Sequence, residues 1–215
     1  MKVIQKVKNL IKNTPLYTPI YNLLELIEMR NWKRRGESGS VPDLIRQQTV
    51  KEYARRFAID TFIETGTYMG KMVSATKNMF KDIFSIELDN KLFERAKKQF
   101  AKYPHIHIIH GDSGKVLPEI LTYLKKPCLF WLDAHYSSGI TTKGDVRTPI
   151  RAELKAIFQH SIQNHVILID DARCFTGEND YPTINWLKDY ISKHRPNWSF
   201  EIKYNIIRIH PHYEN

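Results

Sequence analysis

Residues 60–70, Asp60-Thr-Phe-Ile-Glu-Thr-Gly-Thr-Tyr-Met-Gly70, hold a strand that breaks directly into a glycine turn. The first half, through Thr65, is short and dominated by β-branched and aromatic side chains, which suit a pleated, buried surface. Gly66 and Gly70 then permit a tight turn and a close approach to the backbone, and a helix is expected over 69–80. The spacing is Gly-x-x-x-Gly with Tyr68 inside it. The G-x-G-x-x-G turn of dinucleotide-binding proteins is therefore absent at this place. Outward from this unit the alternation repeats. Strands are expected at 83–88, 105–111, 128–134 and 166–172, and helices at 43–57, 90–102, 114–125, 150–160 and 182–194. The end, SFEIKYNIIRIHP, reads as two strands joined by a tight turn near Tyr204-Asn205. Strict alternation of strand and helix implies a parallel sheet covered on both faces, an α/β doubly wound fold whose last strand is reversed.

Composition agrees with one catalytic-sized domain and a short addition. The chain has 215 residues, 42% hydrophobic and 26% charged, which excludes wholesale disorder. No apolar run is long enough for a membrane span, and Lys2, Lys6, Lys8 and Lys12 interrupt the start too often for a signal peptide. Cys128 and Cys174 have no metal or disulfide spacing, so free thiols and a cytoplasmic location are expected. The net charge of +10 is unevenly spread: residues 1–35 hold eight basic and two acidic side chains. The remainder, at +4, gives little support for a broad phosphate-binding face, so nucleic acid is not the expected partner. Gly36-Glu-Ser-Gly-Ser40 reads as a joint between a basic N-terminal helical arm, residues 1–40, and a domain at 41–215.

In a doubly wound sheet, ligands bind beyond the carboxyl ends of the strands. Glu64 and the Gly66 turn end the first strand, and Glu87 ends the second, 21 residues after Gly66. An acid there can accept both hydrogen bonds of a ribose diol, although a plain surface glutamate is the simpler role. Asp112 and Ser113 end the third strand, where Asp112 can also cap the following helix. Trp131-Leu-Asp133-Ala-His135 and Leu168-Ile-Asp170-Asp171-Ala172 end the fourth and fifth. Three carboxylates at one sheet edge repel one another unless a cation sits among them, and an all-oxygen set suits Mg²⁺. Asp171 as a helix cap or an arginine partner is the competing role.

The combination E-T-G-T-Y-M-G, S-I-E-L and H-G-D-S-G resembles the class I S-adenosylmethionine-dependent methyltransferases over about residues 44–212. That resemblance implies a Rossmann-like sheet and S-adenosylmethionine as cofactor. It assigns the cofactor to Glu64, Thr65, Gly66, Thr67, Gly70, Glu87, Asp112 and Ser113. Tyr68 departs from the commoner glycine-rich turn. Asp133 with Asp170-Asp171 is similar to the metal-dependent O-methyltransferases of catechols and macrolide sugars. The likeness implies Mg²⁺ or another divalent cation held by Asp133, Asp170 and Asp171. His135, two residues beyond Asp133, is then the candidate base for an acceptor hydroxyl. The hydroxyl-rich segment from Tyr136 to Pro149, with Arg147 and Arg173, would contact a hydroxylated small molecule or glycan, sugar hydroxyls being favoured. An RNA or protein methyltransferase and a non-catalytic cofactor-binding module are the alternatives. No N/D-P-P-Y/F motif of base N-methylation occurs in the chain.

The arm has two uses. Val3, Ile4, Val7, Leu10 and Ile11 share a helical face that can pack on protein, including a second subunit in a homo-oligomer. The same basic amphipathic pattern suits peripheral contact with the inner face of an anionic membrane. Packing is the favoured use on sequence alone.

Overall fold

The structure is a computed structural model and describes residues 17–134 and 146–212. The chain divides into two compact units, residues 1–49 and 50–215. In the first, helix α1 spans Tyr17–Arg34, and helix α2 begins at Asp43 and runs to Arg56, into the second unit.

The second unit follows the expected alternation. Strand β1 is Thr61–Thr65, β2 Asp82–Glu87, β3 Ile106–His110, β4 Leu129–Leu132 and β5 Val166–Ile169. Helices α3 (Lys71–Thr76), α4 (Asn90–Phe100), α5 (Ser113–Tyr123) and α6 (Ile150–Gln159) connect them, and α7 (Ile184–His194) follows β5. A hairpin of β6 (Trp198–Lys203) and β7 (Ile206–Pro211) completes one sheet in the order β3-β2-β1-β4-β5-β7-β6. The first five strands are parallel, whereas β7 is antiparallel to both its neighbours. This is the doubly wound α/β fold with a reversed last strand that the sequence implies.

Alternation along the strands builds two separate cores. Ile63, Ile86, Phe130, Leu132, Ile167, Ile169, Ile207 and Ile209 face α5, α6 and α7, meeting Leu117, Leu121, Leu154, Ile157, Leu187 and Ile191. On the other side Phe62, Ile83, Leu129, Trp131, Val166, Leu168 and Ile206 meet Tyr53 and Ala54 of α2, Met72 and Val73 of α3, and Ala96 and Phe100 of α4. Every residue of β1, β4 and β5 is buried, as central parallel strands require.

Several elements are shorter than their sequence suggests, the strand expected at 128–134 being confined to Leu129–Leu132, and two of the shortenings have a backbone cause. The helix expected at 69–80 is confined to Lys71–Thr76, because Gly70 takes a left-handed conformation (φ +68°) immediately before it. The strand expected at 166–172 ends at Ile169, since Asp171 is left-handed (φ +54°) and a single 3₁₀ turn follows at Ala172–Cys174. The hairpin enforces that second ending. Tyr204 and Asn205 both have positive φ, the geometry of a two-residue primed turn. Asn205 then accepts from the Ala172 amide at its carbonyl (2.9 Å) and from the Arg173 amide at Oδ1 (2.9 Å), and its Nδ2 donates to Asp171 Oδ1 (2.8 Å).

Asn205→Ala removes two side-chain bonds and places a Cβ residue without local support at positive φ. A loss of about 2 kcal/mol in urea unfolding is expected. Asn205→Gly loses the same side-chain bonds but keeps the turn without strain, and should lose roughly half as much; equal losses would show that positive-φ strain contributes nothing and that the side-chain bonds carry the whole effect.

Candidate cofactor and acceptor site

The strand order sets the carboxyl ends of β3, β2, β1, β4 and β5 side by side. Glu64, Thr65, Gly66, Thr67, Glu87, Asp112, Ser113, Asp133 and Asp170 lie on or directly after those ends. Gly66 has a specific steric reason to be glycine. Its φ is +89°, and a Cβ there would stand 2.8 Å from the Asp133 carbonyl oxygen. The close approach expected at this turn is thus made by the end of β4. At Gly70 a Cβ would meet the Phe100 ring at 2.8 Å, so this glycine lets α3 close onto α4.

Glu87 is 6% exposed and holds the turn in place. The Tyr68 amide donates to its Oε2 at 2.7 Å and the Asp89 amide to its Oε1 at 2.9 Å. Burial raises its pKa, while the two amides oppose that rise. Each carboxylate oxygen can accept a further hydrogen bond, which leaves Glu87 chemically able to receive a diol. The plain surface role is excluded by its burial.

Glu64 is fully buried within β1 and accepts from Ser85 Oγ at 2.6 Å; Thr67 Oγ1 lies 2.7 Å from the same hydroxyl. Burial pushes its pKa up to about 8, against the Ser85 bond and with help from the negative charges of Asp133 and Glu87. Asp112 caps α5 by accepting from the Gly114 amide at 2.9 Å, with Lys115 Nζ at 3.9 Å. Ser113 is turned inward, donating to Glu153 Oε1 at 2.6 Å.

Glu153 was not among the residues singled out from the sequence. It is 1% exposed on α6, and burial raises its pKa to about 7 despite hydrogen bonds from Ser113 and Thr65. Its signal was present in the pattern: Ile150, Glu153, Leu154 and Ile157 occupy one helical stripe, so an acid sits where an apolar residue belongs. Tyr181 is the second addition. It borders the same crevice as Asp133, Ala134, Thr148, Glu153 and Asp170. Its ring packs edge-on against Phe175, and burial beside Cys174 and the three aspartates pushes its phenol upward. A bridge between Thr176 and Thr183 shapes the loop that carries it. The Arg147 amide donates to Asp180 Oδ2 at 2.8 Å, joining this loop to the end of the hydroxyl-rich segment.

The expected metal triad does not fit a cation as its members stand. Asp171 Oδ1 receives Asn205 Nδ2 and lies 3.0 Å from the Arg173 guanidinium, and its backbone is left-handed. Among the described residues no three His, Cys, Asp or Glu side chains are grouped to hold a metal ion. Arg173 therefore stands in an ion pair, the competing role foreseen for Asp171. His135 and Tyr136 lie outside the described residues.

Glu64 and Glu153 bind protons more tightly folded than unfolded. Their contribution to stability is complete below the ordinary carboxyl value of 4.5 and is lost as pH rises through about 7 and about 8. Buried His165, held down to about 4, has its full and constant stabilising contribution above pH 6.5, so it adds no slope there. Between pH 6.5 and pH 8 the unfolding free energy should fall by on the order of 2 kcal/mol. Glu64→Gln should remove most of that slope, and an unchanged slope in this variant would refute the assignment.

Comparison with solved structures places this architecture. An O-methyltransferase from Bacillus cereus in complex with S-adenosylhomocysteine superposes with a TM-score of 0.58 and 11% identity, covering 96% of this chain and 99% of that one. The O-methyltransferase TomG of tomaymycin synthesis from Streptomyces achromogenes, in complex with S-adenosylmethionine, gives 0.57 and 12%, covering 87% and 90%. The S-adenosylhomocysteine-bound methyltransferase PaMTH1 of Podospora anserina gives 0.53 and 18%, covering 87% and 88%. Among curated sequences, ribosomal RNA small subunit methyltransferase A of Dehalococcoides mccartyi is 33% identical over 60 residues, 28% of this chain. The matched stretch spans about a fifth of that relative's length (21%). No protein-family profile matches the chain. With its sheet order, reversed β7 and these structural relatives, the chain has the fold of the class I S-adenosylmethionine-dependent methyltransferases.

Proposed function

We propose that the chain is an S-adenosylmethionine-dependent methyltransferase that acts on a hydroxyl of a small molecule or glycan. The carrying observation is the buried Glu87 carboxylate beside the Gly66–Gly70 turn, with Asp112 and Ser113 on one side and Asp133 on the other. The cofactor would supply a methyl group on a sulfonium, transferred by in-line displacement, so the protein's task is alignment. Glu87 would accept from the ribose hydroxyls, and the Asp112–Ser113 turn would border the adenine. Glu64 is raised chiefly by burial and further by the charges of Asp133 and Glu87, and the cofactor's positive charge beside Glu64 and Asp133 would oppose that rise.

On the acceptor side, His135 would take the hydroxyl proton. Tyr181 and Glu153 border the crevice beside Asp133 and Asp170, and Arg147 with the hydroxyl-rich segment from Tyr136 would contact a polyhydroxylated acceptor. Mg²⁺ or another divalent cation would use Asp133, Asp170 and Asp171, but Asp171 would first have to exchange Arg173 and Asn205 for it. The ribosomal RNA methyltransferase match favours one other acceptor class, structured RNA, over its 60 residues.

Titration calorimetry with S-adenosylhomocysteine tests the cofactor. One equivalent should bind, and Glu87→Gln should weaken binding about tenfold or more through loss of a charge-assisted bond. No binding by the unaltered chain would sink the proposal.

Turnover tests the acceptor side. With a hydroxylated acceptor, His135→Ala should lower turnover at least about a hundredfold while cofactor affinity is kept. Methyl transfer to RNA but to no hydroxylated small molecule or glycan would decide for the second acceptor class.

A further inference from the structure

Helix α1 turns a mixed apolar and basic face outward. At 3.6 residues per turn, Leu23, Leu26, Ile27, Arg30 and Arg34 fall on one stripe. Leu23, Leu26 and Ile27 are 57%, 41% and 37% exposed, and Arg30 and Arg34 are exposed as well. The opposite side holds Trp32, 1% exposed, and Glu25, 5% exposed, with Glu28 on the same flank. Both acids of the helix are therefore turned away from the outward stripe. Lys33, also exposed, adjoins the stripe next to Leu26, and exposed Arg35 follows the helix end.

A helix that is merely solvated turns its large apolar residues inward and its charges outward. Here three large apolar side chains lie outward in the same stripe as the arginines. That pairing matches an interface that is hydrocarbon within and anionic at its surface. A second copy of the helix offers this stripe no acid to meet Arg30 and Arg34, since Glu25 and Glu28 lie on the far side. No helix among the described residues is long and apolar enough to cross a membrane, so contact would be at the surface. The preceding residues, with Lys2, Lys6, Lys8 and Lys12, continue the basic composition.

We propose that the outward stripe of α1 docks on an anionic lipid surface. Leu23, Leu26 and Ile27 enter the acyl boundary, and Arg30, Lys33, Arg34 and Arg35 meet the phosphate and carboxylate headgroups. The proposal is independent of the methyl-transfer assignment.

Sedimentation of the full chain with vesicles tests it. Vesicles of phosphatidylcholine mixed with phosphatidylserine should carry the protein down, and vesicles of phosphatidylcholine alone should carry at least about tenfold less. Leu23→Ser with Leu26→Ser and Ile27→Ser should reduce binding to the mixed vesicles about tenfold or more. Arg30→Glu with Arg34→Glu should do the same. All substituted residues are exposed, so thermal unfolding should match the unaltered chain and confirm that both variants are folded. No binding to mixed vesicles, equal binding to both kinds, or unchanged binding by either folded variant overturns the proposal. So does a dimer seen by light scattering that the triple variant abolishes, in the absence of vesicle binding; that outcome assigns the stripe to a second copy.

Discussion

Two backbone amides converge on the carboxylate of Glu87, and the geometry of the whole sheet edge follows from that meeting. Tyr68, which donates one of them, is itself left-handed, a conformation that a non-glycine residue adopts at a cost. That conformation needs the chain to turn at Gly66, and Gly66 in turn rests against the Asp133 carbonyl. The end of β2 thus fixes the turn after β1, which fixes the first residue after β4. Substituting Glu87 would disturb the path of the turn as well as any ligand contact.

The same edge concentrates carboxyl groups in a place water reaches poorly. Glu64 and Glu153 lie fully buried on either side of the β1 end, each held by hydroxyls and each raised toward neutrality. A protein stabilised for its own sake would place apolar residues there. The arrangement is one in which a positively charged guest restores what burial costs.

Much of this was legible in the sequence, for physical reasons that differ by residue. Strand and helix alternation survives tertiary packing because both sheet faces are covered, so β4 and β5 are apolar throughout and β1 is buried even at Thr61, Glu64 and Thr65. Glu87 could be placed by its strand end, since that position is fixed by the fold's topology. The capping of α5 by Asp112 was legible from local spacing alone. Asp171 illustrates the opposite case. Next to Asp170, after a strand, it looks like half of a cation site, but its partner Asn205 lies 34 residues away in a hairpin turn. Nothing within its own segment reveals that engagement. Glu153 was hidden by its neighbours, because an amphipathic helix tolerates one acid in its stripe without losing its periodicity. Tyr181 comes from a loop whose path depends on a bridge between Thr176 and Thr183, a contact with no local signature.

The reversed strand β7 has a consequence for how such a chain is made. It lies between β5 and β6 and shields Ile207 and Ile209 while pairing with the whole outer edge of β5. During synthesis β5 therefore waits with one ladder of amides and carbonyls unpaired until residues 206–211 emerge. Five parallel strands can assemble beforehand, but they present an open, apolar edge at Ile167 and Ile169. The last stretch of sheet to be translated is thus an interior piece, and a ribosome that stalls before it would leave a sticky half-closed sheet.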